Sequence, residues 1–281
     1  MKITAKQWQH FDREGFLHLG QVASEQQLVD MQQRINDIML GLAPINYDRL
    51  LMQLDREPST GKPGPQTTGH KGATLLYRKI QQLEFDPLFF AYITHPLFES
   101  ICHRTYGGQT PVSCYRAMFM NKPAAEGTYL SWHQDRWIDL EPDPQITIYT
   151  ALDPATQKNG CVQLIPGSHR NPFNSSSGAG LLSREQVANI LQQKEPLALE
   201  LAPGEVVLLH NWTLHSSGTN PTQTSRRAFS VCYMDGETKI RSGAKGVDYL
   251  SVKDGGFPRL FGPGALTVDG LADYWAPILE V

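Results

Sequence analysis

The 281-residue sequence has no long apolar run. No segment approaches the roughly 18 consecutive apolar residues that a transmembrane helix requires, so no membrane association is expected. The N-terminal stretch MKITAKQWQHFDREGF also lacks the apolar centre of a secretory signal. These two absences lead us to expect a cytoplasmic protein.

Charge of one sign and closely spaced cysteines are also lacking. Lysine and arginine number 25 and aspartate and glutamate 28, a net charge of −3 without a long basic run. No nucleic-acid partner is therefore expected, and a small-molecule partner remains. The scattered cysteines, Cys102, Cys114, Cys161 and Cys232, form no C-x-x-C pair and no zinc-like spacing. Reduced, mostly buried thiols are predicted. The sequence indicates no particular oligomeric state.

The N-terminal part, residues 1–110, is predicted to be helical with one short strand, GFLHLG. Four helix starts are marked by capping residues or prolines: Thr4 with Gln7, Ser24 with Gln27, Asp86 with Pro87, and Thr94 with Pro96. Residues 54–74 are rich in Gly, Pro and Thr without periodicity, which is typical of a linker or of an active-site lid.

Residues 111–235 change to short, alternating apolar runs: VSCYRAMFMNK, QITIYTAL, CVQLI, LALEL, GEVVLLH and RRAFSVCYM. One helix, capped by Ser183, interrupts them. Many short strands after a helical part predict a β-sandwich or barrel supported by helices, within a single domain spanning residues 1–281. The tail, residues 236–281, has no pattern that predicts structure.

Two histidine–aspartate pairs with one intervening residue could bind a metal. His10 and Asp12 lie on a predicted helix, where positions two apart point about 200° apart around the axis and cannot share one ion. His133 and Asp135, in SWHQDRW, lie at the edge of the β region, where positions two apart face the same side. Two histidines and one carboxylate form the facial triad of non-heme Fe(II) oxygenases, so this pair requires a second histidine.

His169, His210 and His215 are the candidates for that second histidine. His169 follows a turn, IPGSH, and is interpreted as a structural or surface residue. The sequence after His215 favours that residue, because Ser217 follows closely and Arg226 begins the next strand. A buried arginine that faces a metal cavity needs a carboxylate, and the distal carboxylate of 2-oxoglutarate is one.

The order of these motifs resembles that of the phytanoyl-CoA dioxygenase family. The resemblance rests on the H-x-D pair, on NGCVQLIPGSH, on HSSGTN with an arginine eleven residues after its histidine, and on FDREGFLHLGQVASEQQLVDMQQRI near the N-terminus. It implies a mainly β fold, a double-stranded β-helix (jelly-roll, cupin-like) core with an N-terminal helical buttress. It also implies a dependence on Fe(II), 2-oxoglutarate and O2, with release of succinate and CO2.

The resemblance further implies two sets of site residues. The iron ligands, which are also the catalytic residues, would be His133, Asp135 and His215. The cosubstrate-binding residues would be Arg226, Ser217, Lys79, Met118 and Tyr149. For Lys79, in YRKI, the alternative is an exposed lysine at the start of a helix. Related halogenases have a small residue in place of the carboxylate, so Asp135 favours hydroxylation or another hydrogen-abstraction reaction such as desaturation.

The expected substrate is a small polar or anionic metabolite. Arg116 has the strand parity of Met118 and is therefore predicted to face the same cavity. Arg136 and Trp137, next to the H-x-D pair, are further candidates for substrate contacts, and Arg78 lies nearby in sequence. The sequence predicts a dioxygenase that hydroxylates an aliphatic carbon. Two alternatives stay open: a cupin-like metal enzyme that does not use 2-oxoglutarate, and a non-catalytic jelly-roll binding or sensor protein.

Overall fold

The N-terminal helices begin where the capping motifs predict. The computed structural model describes residues 2–57, 59–173, 180–242, 248–251 and 256–271. In this structure α1 (Ala5–Glu14) and α2 (Glu25–Leu40) both start with a capping box, in which the N-cap side chain and the N3 glutamine satisfy each other's backbone N–H groups. The apolar stripe of α2 is buried in the core, with Met31, Ile35, Ile38 and Met39 almost fully covered.

Three further helices follow, α3 (Pro87–Ile93), α4 (Pro96–Tyr106) and α5 (Arg184–Leu191). Asp86 and Ser183 cap α3 and α5 as predicted. The predicted cap of α4 is wrong by one residue, since His95 accepts the hydrogen bond from Leu97 N and Thr94 instead ends α3. Short 3-10 segments lie at Tyr47–Arg49, Leu83–Phe85, Gln157–Asn159, Ser168–Arg170 and Asp269–Leu271. No helix in the described ranges has the length and apolar character that spanning a bilayer requires.

The strands, numbered in chain order, form three sheets. The nine-stranded sheet contains β1 (Phe16–Gln21), β2 (Leu51–Leu54), β3 (Thr67–Thr68), β4 (Tyr77–Gln81), β5 (Val112–Lys122), β8 (Ile146–Ala151), β11 (Glu205–His210), β13 (Arg226–Asp235) and β16 (Arg259–Phe261). The four-stranded sheet contains β6 (Leu130–His133), β9 (Val162–Leu164), β10 (Leu197–Ala198) and β12 (His215–Ser217). The three-stranded sheet contains β7 (Leu140–Glu141), β14 (Lys239–Ser242) and β15 (Asp248–Ser251).

The pairing of these strands is antiparallel throughout and follows a jelly-roll order. The large sheet runs β1-β11-β8-β13-β5-β4-β2-β3, with β16 paired to β5, and the small sheet runs β10-β9-β12-β6. One apolar core lies between the helices and the large sheet, and a second lies between the two sheets around Tyr149, Leu164 and Val207. The predicted fold class, a mainly β jelly roll with flanking helices, is confirmed.

The sequence underestimated the β content at both ends of the chain. Residues 1–110 contribute β1 to β4 to the large sheet, and β3 lies within the segment 54–74 that was expected to be loop. The tail contributes β14, β15 and β16, whereas residues 243–247, 252–255 and 272–281 lie outside the described residues. Apart from the predicted β1, these strands have only two to five residues each, too few for alternation to reveal them.

A close backbone contact packs the turn at Gly160 against the turn at Gly218 and Thr219. Gly160 in the NG motif has φ +73°, and a Cβ on it would lie 2.6 Å from the carbonyl oxygens of Gly218 and Thr219. Only glycine tolerates both this conformation and this approach. The contact lies directly after β12, so it helps to fix the strand that carries His215.

Candidate active site

His133 and His215 meet across the small sheet. His133 ends β6 and His215 begins β12, and the two residues are direct partners in the antiparallel register, with ring centroids 4.2 Å apart. Asp135 follows β6, and its carboxylate oxygens lie 3.8 Å from His133 Nε2 and 4.0 Å from His215 Nε2. Within the described ranges, this trio is the group of His, Cys, Asp or Glu side chains that brings three potential ligand atoms within 4.8 Å of one another.

Backbone carbonyls orient both imidazoles. His133 Nδ1 lies 2.7 Å from Ser131 O, and His215 Nδ1 lies 2.9 Å from Thr213 O. A carbonyl can only accept, so each Nδ1 carries the proton and donates it. The two Nε2 lone pairs are therefore left free on the side where Asp135 lies, which is the usual arrangement of metal-binding histidines.

The electrostatic environment favours the protonation states that bind a metal. Burial, followed by the nearby His215, lowers the pKa of His133, so its imidazole is neutral. Burial alone would raise the pKa of Asp135, but His215, His133 and Arg116 outweigh it and lower that pKa. Two imidazoles and one carboxylate, held too far apart for direct hydrogen bonds, are a donor set that fits Fe(II).

Arg226 lines the same cavity as Asp135 and His215. It begins β13, is only 4% exposed, and donates from Nη1 to the Tyr149 hydroxyl over 2.7 Å. Its Nε is buried and has no hydrogen-bond partner among the described residues. A buried guanidinium with an unused N–H fits a carboxylate ligand. Ser217, also buried, lines the same cavity.

Lys79 and Met118 complete the cosubstrate set that the sequence predicted, and both line the cavity. Lys79 lies on β4, paired with Met120 of β5, so the alternative of an exposed lysine at a helix start is wrong. Burial, followed by the positive charges of Arg116 and Arg78, lowers the pKa of Lys79 to about 8. Its ammonium group is therefore easily neutralised unless an anion occupies the cavity.

The residues suggested for substrate binding separate into two groups. Arg116 and Arg78 line the cavity, and the Arg116 guanidinium lies 5.5 Å from the ring centroid of Trp137. Trp137 does not line the cavity, and its contact with Arg116 is through the indole ring. Arg136 does not line the cavity either. Its Nε instead forms an ion pair with Asp143 over 2.7 Å.

The two other candidate histidines, His169 and His210, and the tryptophan Trp132 make contacts that stabilise the fold. His169 is buried, and its Nε2 lies 3.2 Å from Asp12 O. His210 reaches the cavity wall, but its Nδ1 accepts from Trp212 N, and burial lowers its pKa to about 4. Neither joins the trio of His133, Asp135 and His215. Trp132 packs in a small apolar cluster with Ile165 and Leu214.

Several cavity residues escaped the sequence-based reasoning. Lys122 lines the cavity, is 5% exposed, and donates from Nζ to Thr128 O over 2.5 Å. Burial, followed by Arg226, lowers its pKa to about 7. Its strand parity is that of Arg116, so the alternation that indicated Arg116 could have revealed it. Asn211 and Thr147 also line the cavity, and no local signal marks them.

A comparison with known protein families identifies the family of this chain. The family model described as "Phytanoyl-CoA dioxygenase (PhyH)" matches residues 11–228. The chain belongs to the phytanoyl-CoA dioxygenase family. At the level of this family, the predicted enzyme class, a 2-oxoglutarate-dependent non-heme iron dioxygenase, and the predicted dependence on Fe(II), 2-oxoglutarate and O2 are confirmed.

Relatives with known sequences or structures agree with this family and fold. A probable phytanoyl-CoA dioxygenase of Caenorhabditis elegans is 26% identical over 244 residues, covering 82% of this chain and 75% of the relative. EctD from S. alaskensis, solved with 2-oxoglutarate and 5-hydroxyectoine, superposes with a TM-score of 0.68 at 20% identity, covering 85% of this chain and 78% of EctD. The epimerase SnoN from nogalamycin biosynthesis gives a TM-score of 0.67 at 16% identity, covering 91% and 97%.

Removal of one histidine of the trio should abolish tight binding of divalent metal. We expect His215→Ala to weaken Ni(II) binding by about 100-fold or more, because one of three protein ligands is lost. Calorimetric titration of metal-free protein measures this. The control is His18→Ala, which removes a half-exposed imidazole of β1 and should leave the affinity unchanged. Equal affinities in both variants would contradict a metal site at this trio.

The lowered pKa of Lys79 predicts a pH dependence of anion binding. The protonated amine attracts anions and is lost as pH rises through about 8. Relative to Lys79→Arg, which stays charged, the wild-type dissociation constant for 2-oxoglutarate should increase above that pH, approaching about tenfold as the amine becomes neutral. Anaerobic titrations over a pH series measure the ratio of the two constants. A ratio that does not change with pH would show that Lys79 does not contact the cosubstrate.

Proposed function

We propose that this protein hydroxylates an aliphatic carbon of a small anionic metabolite, using Fe(II), 2-oxoglutarate and O2 and releasing succinate and CO2. The observation that carries the proposal is that one cavity is lined by Asp135 and His215, whose ligand atoms lie within 4.8 Å of that of His133, and also by the buried, incompletely partnered Arg226. A metal enzyme that does not use 2-oxoglutarate would need the first feature and not the second.

In this proposal the small sheet holds the iron. His133 and His215 would bind through Nε2 and Asp135 through its carboxylate, in the protonation states described above. Bound iron would activate O2 with the electrons released by decarboxylation of 2-oxoglutarate, and this is the chemistry that the protein alone cannot supply. The protein's contribution is to orient both imidazoles through Ser131 O and Thr213 O, to keep the His133 imidazole neutral by lowering its pKa, and to lower the pKa of the Asp135 carboxyl so that it stays ionised.

The large sheet would hold the cosubstrate. Arg226, oriented by the Tyr149 hydroxyl, would receive the distal carboxylate through its free Nε, with Ser217 across the cavity as a further hydrogen-bond donor. Met118 would provide an apolar wall for the methylene groups. Lys79 would contribute a positive charge, and anion binding would return its pKa towards the ordinary value.

The substrate in this proposal carries negative charge because of Arg116. This side chain lines the cavity above Trp137 and Tyr115, and no carboxylate of the described ranges lies within ion-pair distance of it. Arg78, on the neighbouring strand β4, lines the same cavity, and burial lowers its pKa, with Asp55 as a counter-charge. Cations that are partly desolvated in this way favour an anionic partner.

Replacement of Arg226 tests the use of 2-oxoglutarate. We expect Arg226→Ala to raise the KM for 2-oxoglutarate by about 10- to 100-fold, since a charge-assisted carboxylate contact contributes ~1.5–3 kcal/mol. Succinate release and the visible charge-transfer band of the anaerobic Fe(II) complex are the measurements. The control is Arg227→Ala on the same strand, whose guanidinium binds Asp153 instead and whose loss should affect stability and not KM. Unchanged KM in Arg226→Ala would support an enzyme that does not use 2-oxoglutarate.

A panel of metabolites, scored by substrate-dependent succinate formation, tests the substrate class. Anionic members should stimulate turnover, and Arg116→Ala should raise their KM by about tenfold or more while substrate-free turnover stays near the wild-type rate. Arg104→Ala removes an exposed arginine outside the cavity and is the matched control. Stimulation by neutral members alone, or an unchanged KM in Arg116→Ala, would exclude the anionic substrate.

A further inference from the structure

Asp143 accepts hydrogen bonds from both segments that carry the trio. Its Oδ2 accepts from Arg136 Nε over 2.7 Å and from Trp212 Nε1 over 3.1 Å. Its Oδ1 accepts from Trp137 N over 3.0 Å. Arg136 and Trp137 directly follow Asp135, and Trp212 lies three residues before His215. The Asp143 carboxylate therefore joins the segment that follows Asp135 to the segment that precedes His215.

This tie is shielded from water. The side chains of Asp143 and Arg136 are 11% and 13% exposed, and the Arg136 Cζ lies over the Trp212 indole, 4.2 Å from the ring centroid. A charge-assisted bond that is largely desolvated and stacked on an aromatic ring is held much more rigidly than an exposed pair.

A second tie runs through the residues next to Asp143. Asn211 O accepts from Asp135 N over 2.8 Å, and the side-chain amide of Asn211 donates to Pro144 O over 2.8 Å. Thr147 donates to the Asn211 side chain over 2.7 Å. The segment 143–147 thus binds the Asp135 segment and the His215 segment from the same side, and Asp143 contributes the only carboxylate within it.

We propose that Asp143 is a positioning residue for the metal centre, which fixes Asp135 relative to His215. The inference rests on the function proposed above, because it assigns Asp143 a role towards the metal that this trio would hold. Asp135 and His215 share no hydrogen bond, since their closest side-chain atoms are 4.0 Å apart. Their separation is therefore set by the backbone segments that carry them, and these are the segments that Asp143 joins. Residues that orient metal ligands typically change metal affinity by about 10- to 100-fold when replaced.

The test compares two aspartates with the same number of donors. Asp143→Asn keeps the shape of the side chain but turns one acceptor into a donor that faces N–H groups. Asp86→Asn is the matched control, because Asp86 also accepts three hydrogen bonds, from Leu88 N, Phe89 N and Arg34 Nε, and caps α3 outside the cavity. Both variants lose a buried charged acceptor, so both should lose stability. Only Asp143→Asn should lose metal affinity.

The measurements are Ni(II) affinity of the metal-free full-length chain by calorimetry, and Fe(II) affinity in the presence of saturating 2-oxoglutarate by the visible band. We expect the dissociation constants to rise about 10- to 100-fold in Asp143→Asn and to stay within about twofold of wild type in Asp86→Asn. Trp212→Phe keeps the ring under Arg136 and removes one donor to Asp143. It should give a smaller loss of affinity, and it decides the question if Asp143→Asn does not fold.

The metal affinities of these variants distinguish failure of the positioning role of Asp143 from failure of the proposed function. Metal affinity that is unchanged in Asp143→Asn, or in Trp212→Phe where Asp143→Asn is unfolded, would overturn the positioning role while leaving the proposed function intact. The same applies if Asp86→Asn loses as much affinity as Asp143→Asn, since the effect would then follow stability alone. Failure of the wild-type chain to bind Ni(II) or Fe(II) would instead remove the proposed function, and the role of Asp143 with it.

Discussion

The pairing of β6 with β12 is the constraint on which the site depends. His133 and His215 are far apart in sequence, and only the antiparallel register places their rings in front of each other. A slip of one residue would turn His215 to the opposite face of the sheet, where it could not meet Asp135. The pairing also changes register between His215 and Ser217, where the single residue Ser216 of β12 lies opposite Ser131 and Trp132 of β6. Leu130 and His215 can therefore both face the cavity.

Burial and charge are balanced differently on the two sides of the cavity. The Asp135 side holds its carboxylate ionised and the His133 imidazole neutral, so it presents electron pairs to a cation. The opposite wall presents Lys79, Lys122 and three arginines, and burial lowers the pKa values of both lysines. A cavity of this kind is most stable when a divalent cation and organic anions occupy it together, because each relieves the desolvation of one side.

Part of this site could be predicted from the sequence because it follows strand alternation. Arg116 and Met118 share a face of β5, and the helix caps at Thr4, Ser24 and Ser183 are local signals that the structure confirms. Asp135 lies beyond the end of β6, so its approach to within 3.8 Å of His133 does not follow from alternation. The assignment of β4 could not be made in this way. YRKIQ does not alternate, and its strand conformation depends on pairing with β5 at Lys79, Ile80 and Gln81. Asn211 and Asp143 escaped for a similar reason, since their importance comes from contacts between distant segments and not from any local pattern.

The position of Arg136 shows that the large sheet and the small sheet carry different functional groups. Its closeness to Asp135 in sequence made it a candidate for substrate binding, but β6 ends at His133, so alternation no longer determines where later side chains point. Asp143 takes up its charge instead. The lysines and arginines that line the cavity all lie on the large sheet. They are Arg78 and Lys79 on β4, Arg116 and Lys122 on β5, and Arg226 on β13. The small sheet and the chain that follows β6 thus carry the proposed metal ligands, while the large sheet presents the groups that would recognise anions. Changes in the residues of β4 and β5 can therefore alter which substrate binds without disturbing the register that brings His133 and His215 together.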